Sequence, residues 1–183
     1  VDARTVAHWL EALPEDARLS LYVHIPFCDT LCWFCGCHTR VVNNYGPVAS
    51  YLDLVLGEID RVAAVIGRGR KVSHIHWGGG SPTLLAPDDI GRLATALRET
   101  FDVAADAEFA VEIDPRDLRD ATIAALAIAG VNRASIGVQD NDPTVQAAVN
   151  RVQPFAETAS AVKRLRRAGI AAINVDLMYG LPH

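Results

Sequence analysis

Residues 19–37 read LSLYVHIPFCDTLCWFCGC, a strand-like run followed by all four cysteines of the chain within ten residues. Leu19 to Ile25 reads as a first strand, and Pro26, which has no backbone N–H for a ladder, stops it. Cys28, Cys32 and Cys35 follow with the spacing C-x3-C-x2-C, and Cys37 lies two residues on. A disulfide framework staples distant segments, so four thiols in one short loop point to metal. Structural zinc takes four ligands, usually as two separated pairs. Three thiolates on a four-iron cube leave one iron open to an outside ligand. The close spacing favours the cube, with a zinc site or a redox thiol pair as the competing reading. Phe27, Leu31, Trp33 and Phe34 either shield such a cluster or serve as ordinary core.

Outward from this loop, strand-like runs alternate with helical patterns. A helix is expected from about Pro47 to Ile66, where Leu52, Val55, Leu56, Ile59, Val62 and Ile66 recur at three- and four-residue steps. A second strand, Val72 to Trp77, meets Gly78, Gly79 and Gly80. Helix two is expected over Pro87 to Phe101, strand three over Ala107 to Ile113, and helix three over Leu118 to Ala129, closed by Gly130. Strand four (Arg133 to Val138), a short helix from Pro143, a helix from Phe155 to Ala168 and strand five (Ala172 to Met178) complete the pattern. Strands alternating with helices imply a parallel sheet, either a barrel or an open doubly wound sheet, with function at the strand ends. A complete eight-stranded barrel needs about 250 residues. Five units therefore read as part of a barrel, with 1–18 as an N-terminal segment and 19–183 as the barrel part.

Half of the 183 residues are hydrophobic and the net charge is −5. That balance fits a globular core and argues against a general polyanion binder, so no nucleic-acid partner is expected. The one dense basic stretch, Lys163 to Arg167, sits in a helical pattern and reads as a solvated face. No apolar run reaches the roughly 18 residues of a membrane span, and Val1 to Leu13 lacks a secretory layout. The expected setting is the cytoplasm.

The cysteine spacing after strand one and the glycine turn after strand two resemble the radical S-adenosylmethionine (SAM) superfamily. YVHIPFC (22–28), CWFCGC (32–37), HWGGGSPT (76–83), EIDPRDL (112–118), GVQD (137–140), VNR (149–151) and NVDLMYGLP (174–182) are similar to one family within it, the oxygen-independent coproporphyrinogen III oxidases. The resemblance implies an α/β fold, a partial parallel (β/α) barrel truncated after about five strands. It implies a [4Fe-4S] cluster on Cys28, Cys32 and Cys35, with SAM on the fourth iron. It also implies that a 5′-deoxyadenosyl radical takes a hydrogen atom from a propionate of coproporphyrinogen III. Loss of CO2 and one electron then leaves a vinyl group, twice over, to give protoporphyrinogen IX.

By the same resemblance, Tyr22, Gly79 and Glu112 match contacts to the cluster-bound SAM. Phe34, Gly80, Ser81, Gln139, Arg151 and Asp176 match contacts to a second SAM. A glycine admits close backbone approach, a carboxylate accepts from an ammonium or hydroxyl, and Arg151 suits a carboxylate. Cys37, typical of the oxidase and usually absent from related haem chaperones, is assigned a catalytic or proton-handling role together with His24. Ser81 stands where the family more often has threonine, and either supplies a hydroxyl. A flavodoxin-type reductant is the implied electron donor, and a monomer the implied state of the full-length protein. The competing function is a haem chaperone on the same fold.

Overall fold

The structure, a computed structural model, describes residues 2–183. Of the expected N-terminal segment 1–18, Val1 lies outside the described residues.

Five parallel strands form one sheet in strict chain order: β1 (Leu19–Ile25), β4 (Lys71–Gly79), β5 (Asp102–Ile113), β6 (Arg133–Gln139) and β7 (Ala172–Leu177). Helices α2 (Gly46–Ile66), α3 (Pro87–Thr100), α4 (Asp120–Ile128) and, after the short α5 (Pro143–Ala148), α6 (Phe155–Arg167) lie in the connections, and α2, α3, α4 and α6 bury one core with the sheet. Such an unreversed order, with a helix crossover at each step, is the partial barrel expected rather than a doubly wound sheet, whose strand order reverses.

The two faces of the sheet differ. Val23 and Ile25, Val72, Ile75 and Trp77, Phe109, Val111 and Ile113, and Ala134, Ile136 and Val138 are all buried toward the helices. Each of the Val, Ile and Phe side chains contributes about 1.5–3 kcal/mol, and Trp77 adds an edge-on contact with Phe109 at 4.9 Å between ring centroids. Of the alternate residues, which face the other way, Tyr22, His76, Glu112, Ser135 and Asp176 remain partly or fully exposed. Register aligns them across strands: Tyr22 with His76, Glu112 with Ser135, and Gly137 with Asp176.

Several elements depart from the expected boundaries. α1 (Ala3–Glu11) is an additional helix, capped by Asp2, whose carboxylate accepts from Thr5 N–H at 2.9 Å. It buries none of its residues fully, although Val6, Trp9, Leu10 and, just beyond it, Leu13 recur at helical steps, and Leu10 and Leu13 pack against the core. β5 starts five residues before the expected Ala107, because Asp102 and Val103 pair with Lys71 and Val72 by backbone alone. α4 begins at Asp120, after a 3-10 turn at Pro115–Asp117. A two-residue parallel pair, β2 (Phe27–Cys28) and β3 (Arg40–Val41), closes the base of the cysteine loop; Val42 N–H donates to Cys28 O at 2.9 Å. In the basic stretch, Lys163, Arg166 and Arg167 are exposed while Leu165 is buried, as a solvated helix face requires.

Tyr45 ties α2 to the start of α3. Its hydroxyl donates to the Asp89 carboxylate and accepts from Ala86 N–H at 2.9 Å. Burial, then the bond to Asp89, pushes the phenol up from 10.0 to about 12. A phenol raised on folding stabilises fully below its unfolded value, so this contribution declines as pH rises from 10.0 to about 12. Tyr45→Phe is expected to cost about 1 kcal/mol at neutral pH and to flatten the alkaline decline. Urea unfolding from neutral to strongly alkaline pH checks both.

Candidate metal and cofactor site

One cavity of about 290 Å³ opens at the C-terminal ends of the strands, and Cys28, Cys32, Cys35 and Cys37 all line it. That volume lies near the lower end of small-molecule sites, roughly 300–1,000 Å³. The same cavity is lined by Glu112 and Asp114 at the end of β5, Gly137 and Gln139 from β6, Asp176 from β7, and Arg151. Strand ends meet here because every crossover returns the chain to the same edge of the sheet.

The cysteine loop is held at both ends of its sequence. Thr39 Oγ1 lies 3.2 Å from Cys28 Sγ, and Ser81 Oγ lies 4.0 Å from the same sulfur. Burial pushes the Cys28 thiol up, and these two hydroxyls oppose the rise. Further along, Asn150 Nδ2 donates to Leu31 O at 2.8 Å and Trp33 N–H to Val149 O at 3.0 Å. Arg151 Nη1 donates to Cys32 Sγ at 3.4 Å. The VNR stretch thus grips the loop at three consecutive residues. Asn150 adopts a left-handed φ of 56°, which asparagine tolerates better than most residues.

That grip is itself anchored. Gly137 O accepts from Arg151 Nη2 at 2.7 Å and from Gln153 Nε2 at 3.1 Å. Buried Gln146 joins Asp140 O to Gln153 O at 2.9 and 2.8 Å. Buried amide hydrogen bonds of this kind fix one backbone path, although Gln153 Oε1 and Arg151 Nε are buried there without a partner among the described residues.

Asp114 is the hub of the charged wall. Its carboxylate accepts from Arg116 Nη2 at 2.6 Å, Arg116 Nε at 3.0 Å and Arg151 Nη1 at 3.1 Å. Burial alone would raise its pKa, but the hydrogen bonds from Arg116 and the two guanidinium charges outweigh burial and hold it below the usual value. Arg116 Nη2 also reaches Cys32 Sγ at 3.5 Å.

Glu112 accepts from Gly79 N–H at 3.0 Å and pairs with His76 Nε2 at 3.0 Å. The three glycines of the turn are required first by the protein itself. A Cβ at Gly78 would lie 2.7 Å from the Glu112 carboxylate, and one at Gly79 would lie 2.6 Å from the His24 ring. At Gly80 it would lie 2.4 Å from the Phe27 carbonyl oxygen. Gly79 also adopts φ of 114°, a region open chiefly to glycine.

Of the residues singled out by sequence, Phe34, Gly79, Gly80, Ser81, Glu112, Gln139, Arg151 and Asp176 line the cavity beside the four cysteines. Tyr22 and His24 do not. They form a neighbouring group, with Tyr22 Oη 2.9 Å from His24 Nδ1, His24 Nε2 2.8 Å from His38 O, and Tyr22 stacked on His76 at 5.7 Å. Arg151 is buried, and its Nη atoms are already engaged by Cys32, Asp114 and Gly137, so an incoming carboxylate competes with Asp114. Asp176 is exposed and accepts from Ser135 Oγ at 3.0 Å and Asn174 Nδ2 at 2.8 Å. Gln139 carries a φ of 68° at the end of β6. Sequence reasoning missed Thr39, His76, Asp114, Arg116 and Asn150 as parts of the site. Asp114, Arg116 and Asn150 lie inside the quoted EIDPRDL and VNR stretches, which was the signal.

The donor set fits an iron–sulfur cluster. Three thiols line one cavity, hydroxyl and guanidinium donors face two of their sulfurs, and carboxylates and a glycine turn line the same cavity. Among the described residues no three His, Cys, Asp or Glu side chains converge tightly on one point. A cube, which bonds each thiolate to its own iron, does not ask for that convergence.

The chain is 53% identical over 183 residues to an oxygen-independent coproporphyrinogen III oxidase of Bradyrhizobium diazoefficiens, and covers 41% of it. It is 46% identical over 175 residues to the enzyme of that name from Paracoccus denitrificans, covering 39%. The solved coproporphyrinogen III oxidase of Escherichia coli, described as a radical SAM enzyme, superposes with a TM-score of 0.91 at 40% identity, over all of this chain and 42% of that one. The chain therefore spans about two fifths of the length of these relatives. No helix among the described residues is long and apolar enough to cross a membrane. The Radical SAM superfamily model matches residues 22–183, and with the three-thiol cavity at the strand ends this shows that the chain belongs to that superfamily.

Proposed function

We propose that the full-length protein is an oxygen-independent coproporphyrinogen III oxidase, converting two propionates of its substrate to vinyl groups in haem biosynthesis. The observation that carries this reading is the single cavity in which Cys28, Cys32 and Cys35 face Glu112, Gly79 and Asp176. A bound [4Fe-4S] cluster and SAM supply a 5′-deoxyadenosyl radical by one-electron reduction. Cys28, Cys32 and Cys35 hold the cluster. Glu112, oriented by Gly79 N–H and His76, presents its carboxylate to the amine or ribose of one SAM. Phe34, Gly80, Ser81, Gln139, Arg151 and Asp176 form the wall for a second SAM. Cys37, exposed at the cavity rim, handles a proton, and His24, hydrogen-bonded to Tyr22, stands next in line. A flavodoxin-type donor, a monomeric state and a cytoplasmic setting complete the reading, without a nucleic-acid or membrane partner.

Anaerobic incubation of the full-length protein with coproporphyrinogen III, SAM and dithionite is expected to yield protoporphyrinogen IX and two CO2 per substrate. Tight haem binding without any vinyl product would replace this reading with a haem chaperone.

A further inference from the structure

Arg116 has no role in the reading above, yet it occupies the most highly connected corner of the cavity. Its guanidinium donates to both oxygens of Asp114, through Nε at 3.0 and 3.1 Å and through Nη2 at 2.6 Å, and its backbone N–H adds a bond at 3.1 Å. A planar guanidinium held bidentately by a carboxylate along its Nε–Nη2 edge resists swinging away. The remaining donor capacity of Nη2 points to Cys32 Sγ at 3.5 Å. Arg151 Nη1 reaches the same sulfur at 3.4 Å while sharing Asp114. All three side chains are largely buried, with relative exposures of 16% for Arg116, 19% for Asp114 and 9% for Arg151. Two guanidiniums and one carboxylate leave one positive charge in excess beside one cysteine. Cys28 has hydroxyl neighbours instead.

We propose that Arg116 is a positioning residue that sets the cluster's reduction potential, by donating an N–H to Cys32 Sγ and keeping an excess positive charge against it. This rests on the reading that Cys32 is a cluster ligand. Reduction adds negative charge to the cluster and its thiolates. Hydrogen bonds to the sulfurs and a nearby cation stabilise that form and raise the potential. Arg116 lies on the 3-10 turn directly after β5, so the strand end delivers it without help from the cysteine loop. Asp114 aims it, and the low exposure keeps solvent from screening it.

The test is an EPR-monitored redox titration of the full-length protein, reconstituted anaerobically, with iron and sulfide measured in parallel. Arg116→Gln is expected to keep its iron and to lower the midpoint, shifting the oxidised-to-reduced equilibrium by about tenfold, ~59 mV for one electron. Arg116→Lys keeps the charge but loses the fork held by Asp114, and is expected to fall between Arg116→Gln and the parent. An unchanged midpoint in a fully loaded Arg116→Gln protein overturns the proposal. If that variant does not assemble the cube, Arg116→Lys decides: a lowered midpoint supports the proposal and an unchanged one overturns it. Loss of the cube in both variants also overturns it, because a residue acting through the potential leaves the iron in place. Absence of a cube in the parent protein is a different failure, that of the ligand assignment.

Discussion

Cys32→Ala is expected to abolish cluster assembly and all turnover of the full-length protein. Cys32 is the most buried of the four cysteines, at 8% exposure, and the one whose sulfur accepts from two guanidiniums. On the proposed assignment, removing it takes away one of three thiolate ligands of the cluster. It also leaves the donors of Arg116 and Arg151 facing an empty position while Asp114 still holds them in place. Outer-sphere substitutions at metal sites cost about 10–100-fold, and loss of a ligand is expected to exceed that range. Anaerobic iron and sulfide content, with protoporphyrinogen formation, is the measurement. Cys37→Ala is the informative partner: Cys37 is exposed and is expected to leave the iron content intact while slowing turnover. A Cys32→Ala protein with a full complement of iron would remove the three-thiol assignment.

The second large effect is expected from Gly80→Ala. An added Cβ would lie 2.4 Å from Phe27 O and 2.8 Å from both Phe27 C and Thr39 Oγ1. The nearest obstacle is backbone, and it is hydrogen-bonded to the glycine turn itself: Phe27 O accepts from Ser81 N–H at 2.7 Å, and Ile25 O from Gly80 N–H at 2.9 Å. Relief must come from parting β2 from the glycine turn, which moves Cys28 and its Thr39 and Ser81 partners. Overpacking of this kind costs about 1–3 kcal/mol, and the displaced thiol adds a fall in bound iron. Gly91→Ala, in α3 with nothing within 4 Å of the added carbon, is the control, expected to stabilise by about 0.5–1 kcal/mol. Denaturant melts of the two variants, paired with iron content, separate a clash at the turn from a general cost of replacing glycine.

Gly80 also shows where a sequence argument goes only part of the way. Three glycines after a strand signal close approach, and the resemblance assigned that approach to a cofactor. In the fold the first claims on the missing carbons come from Glu112, His24 and the Phe27 backbone. A glycine pattern says that something passes close, but not what, because the partner sits 34 to 55 residues away along the chain. Arg151 is similar. As an isolated residue it would pass for a surface arginine, and the family likeness gave it a cofactor. Burial, and bonds to Cys32, Asp114 and Gly137, make it part of the cysteine loop's own support.

Sequence alone determined the thiol chemistry, the α/β alternation and the place of the site after the strands, because each is written in short-range patterns. Ligand spacing spans eight residues, apolar periodicity one helix or strand, and a stop signal a single proline or glycine. The polar second face of the sheet was written there too, in the alternation of LSLYVHI, FAVEI and AINVDL, which a search for apolar runs passes over. Tertiary structure decided the unreversed strand order and the meeting of Asp114, Arg116 and Arg151 on Cys32. It also decided the separation of Tyr22 and His24 from the cavity wall. These depend on strand register and crossover, which bring together residues up to 119 positions apart. No local pattern encodes such a distance, since it is set by the packing of the whole sheet against its helices.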